Sequence, residues 1–259
     1  MQRFHKLSLI WTISTVALVV FAFATFAGAA VTEEFHRTVP LAAGGRVSLE
    51  NINGNVTITG WERNEVQIDA VKKADSQQKL TEARIEVDAG SGSVSIKTQY
   101  PDHHTNNNPA TVTYELHVPR SSRLDAIALV NGSLSVSQFG GDLKANLVNG
   151  TASIQDLAGR TDLSSVNGAV NADYRSLNNV KEIRLKSVNG PVKLGLPGSP
   201  DADVSVSTVN GGITTDFPLQ VQGKLVGHHM DGRLGGGGTK IEISNVNGSI
   251  HIAADRGSL

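Results

Sequence analysis

One tripeptide recurs through this chain and limits what it can fold into. Val-Asn-Gly occurs around Asn131, Asn149, Asn167, Asn189, Asn210 and Asn247, and Ile52-Asn53-Gly54 is a seventh copy. From Asn131 onward the Asn residues are spaced by 18, 18, 22, 21 and 37. Self-similarity at such a period marks stacked structural units. The last interval reads as two repeats, one of them degenerate.

Columns emerge when the copies are aligned on Asn. Four residues before it stand Leu49, Ile127, Ala145, Leu163, Leu185, Val206 and Ile243; three after it stand Val56, Leu134, Ala152, Val170, Val192, Ile213 and Ile250. Five after it the residues are again mostly aliphatic, as in Ile58, Val136, Ile154, Leu194 and Ile252. Polar residues fill most places between. Alternation on both sides of a turn predicts two short strands with one buried face. Ser91-Gly92, with Val87 before it and Val94 and Ile96 after, reads as an eighth copy.

Asn-Gly is the strongest short hairpin signal, but two features oppose a hairpin. The residue before Asn is Val or Ile in all seven copies, although a hairpin would turn it to the opposite face. Pro191 would stand where the turn needs an N–H donor. A β-helix bends at Asn-Gly, shifts phase and lets the Val point inward. Equivalent Asn residues then stack about 4.8 Å apart and pass amide hydrogen bonds along the stack. The expected fold is all-β: a single-stranded parallel β-helix, right-handed by the crossover preference, of about ten coils. Asn53, Asn131, Asn149, Asn167, Asn189, Asn210 and Asn247 form its structural turn ladder, with Asn247 as the terminal rung.

The first residues address compartment. Arg3 and Lys6 precede an uncharged run from Leu7 to Phe26, and Ala27-Gly28-Ala29 offers the small residues a signal peptidase accepts. Residues 1–29 are thus expected to be a signal peptide, and 30–259 the solenoid domain. The same run is long enough to be an uncleaved anchor, which would be the chain's only membrane contact. The expected location is the periplasm, cell surface or extracellular space. Net charge is −1 with no basic patch, so nucleic acid is an unfit partner. Cysteine is absent, which removes disulfide and thiol chemistry.

Between the regular copies, Lys72 to Arg84 is polar and reads as a loop or short helix. Thr111 to Val118 alternates cleanly and reads as a strand ended by Pro119, while Asp102–Pro109 and 227–238 read as loops.

The ordered set of features resembles a bacterial family of domains of unknown function that carries an adhesin label. The carriers, between Phe35 and Ile252, are the Asn53 copy, Gly60-Trp61, Val118-Pro119 and the Val-Asn-Gly series. The chain is also similar to the head domains of auto-transporter adhesins. The resemblance implies a β-helix and an envelope location, and it implies no catalytic residue.

Chemistry-bearing residues are sparse. His228-His229 with Asp231 unites imidazoles and a carboxylate in a glycine-rich stretch, but adjacent His side chains suit a solvated loop better than one ion; Asp102-His103-His104 shares that weakness. Asp156, Asp173 and Asp216 fall six or seven residues after their Asn and could line one edge of the stack, as sugar-cleaving carboxylates would. Turn chemistry accounts for them equally. Trp61 is the single Trp beyond the N-terminal run, too few aromatics for a polysaccharide cleft. No nucleophile elbow or phosphate loop occurs, and no metal or other cofactor is expected. What varies among copies is an outward polar set, and Lys144, Arg184 and Lys186 are its candidate contact residues. The favoured function is non-catalytic binding of an envelope protein or glycan; the alternatives are a carbohydrate-active lyase or hydrolase, and an envelope sensor or regulator.

Overall fold

A computed structural model describes residues 30–90, 92–101, 109–219, 222–223 and 228–255. The expected signal peptide and the Asp102-His103-His104 cluster lie outside them. Strands β1 (Val31–Pro40), β2 (Arg46–Asn53), β3 (Val56–Trp61) and β4 (Glu65–Ala74) come first. The helix α1 (Gln77–Glu82), β5 (Arg84–Ala89), β6 (Ser93–Gln99) and β7 (Thr111–Pro119) follow. Then come β8 (Arg123–Asn131) and β9 (Leu134–Ser137), β10 (Leu143–Asn149) and β11 (Ala152–Gln155), and β12 (Thr161–Asn167) and β13 (Val170–Asp173). After β14 (Glu182–Asn189) and β15 (Val192–Pro197) stand β16 (Ala202–Asn210), β17 (Ile213–Thr215), β18 (Gln222–Gly223) and β19 (His228–Leu234). β20 (Thr239–Asn247) and β21 (Ile250–Asp255) end the described chain.

These strands form two sheets. The ten-stranded sheet runs β1-β4-β7-β3-β9-β11-β13-β15-β21-β17, and the eleven-stranded sheet runs β18-β19-β16-β20-β14-β12-β10-β8-β2-β6-β5. At every Val-Asn-Gly, and at Ile52-Asn53-Gly54, the chain passes from the eleven-stranded to the ten-stranded sheet. Each coil thus contributes one strand to each sheet. Along the stack the parallel coils are β6–β7, β2–β3, β8–β9, β10–β11, β12–β13, β14–β15, β20–β21 and β16–β17.

Among the described residues this makes eight parallel coils of two strands rather than about ten. Among its described residues the 37-residue interval holds no degenerate coil. After β17 the chain forms β18 and β19, and β19 runs antiparallel along β16 as an edge. β20–β21 then inserts between β14–β15 and β16–β17, so Asn247 is an interior rung and Asn210 the last. Ser91-Gly92 also departs from the expected copy. Ser91 lies outside the described residues; on either side of it β5 and β6 pair antiparallel in one sheet, and Gly90 N–H donates to Ser93 O. Val94 and Ile96 stand opposite Val47 and Leu49, before the bend rather than after it.

The core fills the space between the sheets. Leu163, Leu185 and Ile243 lie in register on neighbouring strands and are fully buried, as are Val170, Val192 and Ile250 on the facing sheet. Identical columns stack because parallel pairing repeats the same residue position from coil to coil. Each fully buried aliphatic side chain contributes roughly 1.5–3 kcal/mol. At the β1 end, β4 pairs antiparallel with β7 and β1 with β4. Lys72 is buried there, donating to Leu80 O and Ala83 O at 3.3 Å each and pairing with Glu33 at 2.6 Å. One cation thus satisfies carbonyls around the end of α1 and holds β1 against it.

Candidate interaction surface

The Asn side chains form an amide ladder along one corner of the stack. Asn131 Nδ2 donates to Asn53 Oδ1 at 3.0 Å, and the same bond links Asn149 to Asn131, Asn167 to Asn149 and Asn189 to Asn167, each at 2.9 Å. Asn247 then donates to Asn189 at 2.8 Å and Asn210 to Asn247 at 2.9 Å. All six bonds point the same way, so the amide dipoles add. The ladder is exposed to solvent.

Gly follows Asn because nothing larger fits. A Cβ on Gly150 would stand 2.0 Å from Gly132 O, and one on Gly168 would stand 2.0 Å from Gly150 O. Several of these glycines also have positive φ, 152° at Gly150 and 149° at Gly168. Of the bend residues only Gly takes that conformation; the ladder Asn residues do not.

The residue before Asn corrects the sequence reading. Ile52, Val130, Val148, Val166, Val188, Val209 and Val246 do not point inward; they are 38% to 47% exposed. The inward partner is the residue before that: Leu129 and Leu147 in two copies, and Asn51, Ser165, Ser187, Thr208 and Asn245 in the others, all buried. Several of these polar side chains reach carbonyls at the bend. Asn245 Nδ2 donates to Gly190 O at 2.9 Å, Asn51 Nδ2 to Gly54 O at 3.1 Å, and Thr208 Oγ1 to Gly248 O at 3.3 Å. A hairpin is excluded because the flanking strands belong to different sheets, not because Val is buried.

The seven β-branched side chains therefore form a ridge beside the Asn ladder. In stack order it reads Val209, Val246, Val188, Val166, Val148, Val130 and Ile52. Six interstrand steps make it about 29 Å long. Strict alternation from the −4 column would have placed this residue outside; its apolar character concealed that signal.

The charged face is largely self-paired. Arg184 meets Glu182 at 2.7 Å, Glu242 at 3.3 Å and Asp162 at 3.7 Å. Glu242 foremost, with Glu182 and Asp162, raises its pKa above the ordinary Arg value. Lys144 borders a small cleft with Asp125, Asp142, Arg160 and Asp162. Lys186 is exposed, in register with Ser164 and Ser244.

Asp156 and Asp173 lie on adjacent coils, since Asp173 is in register with Gln155, but Asp216 does not join them. Asp156 has φ of 55° and pairs with Arg175 at 2.5 Å, a turn role. Asp173 ends β13, whereas Asp216 follows β17, three strands away at about 14 Å. His228, His229 and Asp231 lie on β19, a strand rather than a loop, and His229 bonds Asp231. Among the described residues no cluster of three or more such side chains is placed to hold a metal ion. Trp61 is held by its own surroundings: its Nε1 donates to Glu65 O at 2.8 Å, the Arg63 guanidinium lies 4.9 Å from the ring centre, and the His117 ring packs at 5.2 Å.

A family model matches residues 38–253, the whole of the stacked region apart from its first and last few residues. The chain belongs to the Toastrack DUF4097 family. This Toastrack chain resembles the crystal structure of a candidate cell adhesion protein from Clostridium sporogenes, with a TM-score of 0.51 and 16% identity over 87% of this chain and 100% of that one. A candidate adhesin from Bacteroides fragilis aligns at a TM-score of 0.43 and 12% identity, over 86% and 97% of the two chains. No curated protein matches the sequence. Among the described residues no helix is long and apolar enough to cross a membrane.

Proposed function

We propose that this Toastrack chain is exported to the envelope or cell surface, where its solenoid binds a protein or glycan without catalysing a reaction. The observation that carries the reading is the ridge of seven exposed β-branched side chains beside the amide ladder. A regular apolar row on a soluble surface gains free energy when a partner covers it. Each Asn amide has two N–H donors, and the ladder uses one from every rung but Asn53, which only accepts. The corner therefore offers apolar contact and directional hydrogen bonding at the same repeat. Lys144 and Lys186, on the same outer face of the eleven-stranded sheet, add charge at its flank.

Support for export comes from Arg3, Lys6, the uncharged run and Ala27-Gly28-Ala29. The carboxylate geometry speaks against sugar cleavage. Paired glycosidase carboxyls stand about 5–9.5 Å apart; Asp216 is about 14 Å from Asp173, and Asp156, on the coil next to Asp173, is tied to Arg175 in a turn. The test is to immobilise the full chain and challenge it with envelope extract and with acidic and neutral polysaccharides. Retention of a component with no product formed is the expected result. Product formation abolished by Asp156→Ala or Asp173→Ala would contradict it.

A further inference from the structure

We propose that β1 is a self-association edge, through which two copies of this chain join antiparallel about a two-fold axis at Phe35. Among the described residues β1 ends the ten-stranded sheet and has β4 as its single neighbour. All ten of its residues pair with β4, from Val31 opposite Ala74 to Pro40 opposite Glu65, without a register shift. Its other side presents backbone N–H and C=O groups along the same length. Among the described residues the other edge strands are shorter: three residues in β17, two in β18 and six in β5. Short strands are one way of blunting an edge; β1 lacks that protection.

The β1 end also leaves part of the core incompletely covered. Val31 and Phe35 on β1, and Ile85 and Val87 on β5, are hydrophobic side chains packed against the core but only partly buried. Phe35 and Ile85 line a cleft of about 440 Å³ between β1, α1 and β5.

The sequence of β1 selects the partner. A two-fold axis normal to the sheet keeps each face on its own side and sets Phe35 against Phe35 of the second copy. In that register Val31 faces Val39, Thr32 faces Thr38, Glu33 faces Arg37 and Glu34 faces His36, each pair occurring twice. Charges on an edge strand ordinarily deter pairing. Within the chain Glu33 pairs with Lys72, Arg37 donates to Val87 O and His36 pairs with Asp69, so the second copy would share these groups rather than find them free. The register still sets opposite charges across the strand pair, which is favourable, and deters unrelated strands.

The chain has no cysteine, so introduced thiols report without background. Thr32 and Thr38 are exposed, which makes their replacement mild for the fold. Full-length chains carrying Thr32→Cys and Thr38→Cys are coexpressed and treated with a short bismaleimide. A covalent dimer is expected from the coexpressed pair and from Phe35→Cys alone. Neither Thr32→Cys nor Thr38→Cys should cross-link by itself, because identical residues would lie about 20 Å apart. No dimer from the coexpressed pair, or equal dimer from either single Thr variant, would overturn the proposal. Sedimentation of the unsubstituted chain gives a second reading: a dimer in the micromolar range supports the edge, and a monomer throughout that range overturns it.

Discussion

Gly150 and Asn149 are neighbours under different constraints. A methyl group on Gly150 meets the Gly132 carbonyl at 2.0 Å, and the backbone there has φ of 152°. Gly150→Ala must displace backbone in two coils, a cost on the order of several kcal/mol. Asn149 makes two exposed ladder bonds, accepting from Asn167 and donating to Asn131. Asn149→Ala should cost about 1 kcal/mol, and Asn210→Ala about half of that, since the last rung makes one such bond. Denaturant unfolding of the three variants checks the order Gly150, Asn149, Asn210. Equal losses for the two Asn variants would contradict a ladder whose rungs are coupled. At this scale the −4, +3 and +5 columns were legible because burial on a strand has period two. The Val column was misread for a physical reason: its inward neighbours are often polar, since Asn51, Thr208 and Asn245 bond carbonyls at the bend.

Among the elements, β19 shows what local pattern leaves undetermined. β16 and β20 carry the same alternation, so nothing in either says which stacks on β14. The answer depends on β19, which closes the edge of β16 and leaves β20 to fill the place inside. β19 is held partly by charge. Arg233 Nε donates to Asp203 Oδ1 at 2.8 Å, and Gly238 N–H donates to Asp203 Oδ2 at 3.2 Å. Arg233 first, then Gly238, lowers the Asp203 pKa below its ordinary 3.8. Ser205 first, then His229, does the same for Asp231. A carboxyl with a lowered folded pKa adds stability above its unfolded value, and that part is lost as pH falls through the lowered one. Melting temperature should therefore fall below about pH 3.8 with a contribution from this edge. Asp203→Asn should melt lower at neutral pH and show a shallower acid decline. Since both carboxyls face solvent, the difference should shrink in high salt. Parallel acid declines for the two proteins would count against the assignment.

For the whole molecule, the repeat made the all-β stack legible before any coordinates. Its period did not reveal that each coil is split between two sheets, because two short strands and a bend fit several closed cross-sections. Nor did it show the antiparallel strands at the ends, where β1, β4, β5 and β19 lie outside the repeat. The proposed contact surface was legible only in part. Variable charges drew attention to Lys144, Arg184 and Lys186, yet Arg184 is engaged by three carboxylates and the regular outward feature is the Val-Asn ridge. The central claim is that this ridge serves binding rather than the core. The most direct measurement is how much envelope component Val148→Lys/Val166→Lys retains, compared with the unsubstituted chain at equal folded concentration. Both positions are about 40% exposed strand sites, where such changes alter stability by about 1 kcal/mol each. The account predicts a folded protein whose retention falls by about tenfold or more. A folded variant with undiminished retention, or a variant that fails to fold as a buried Val would require, would contradict it.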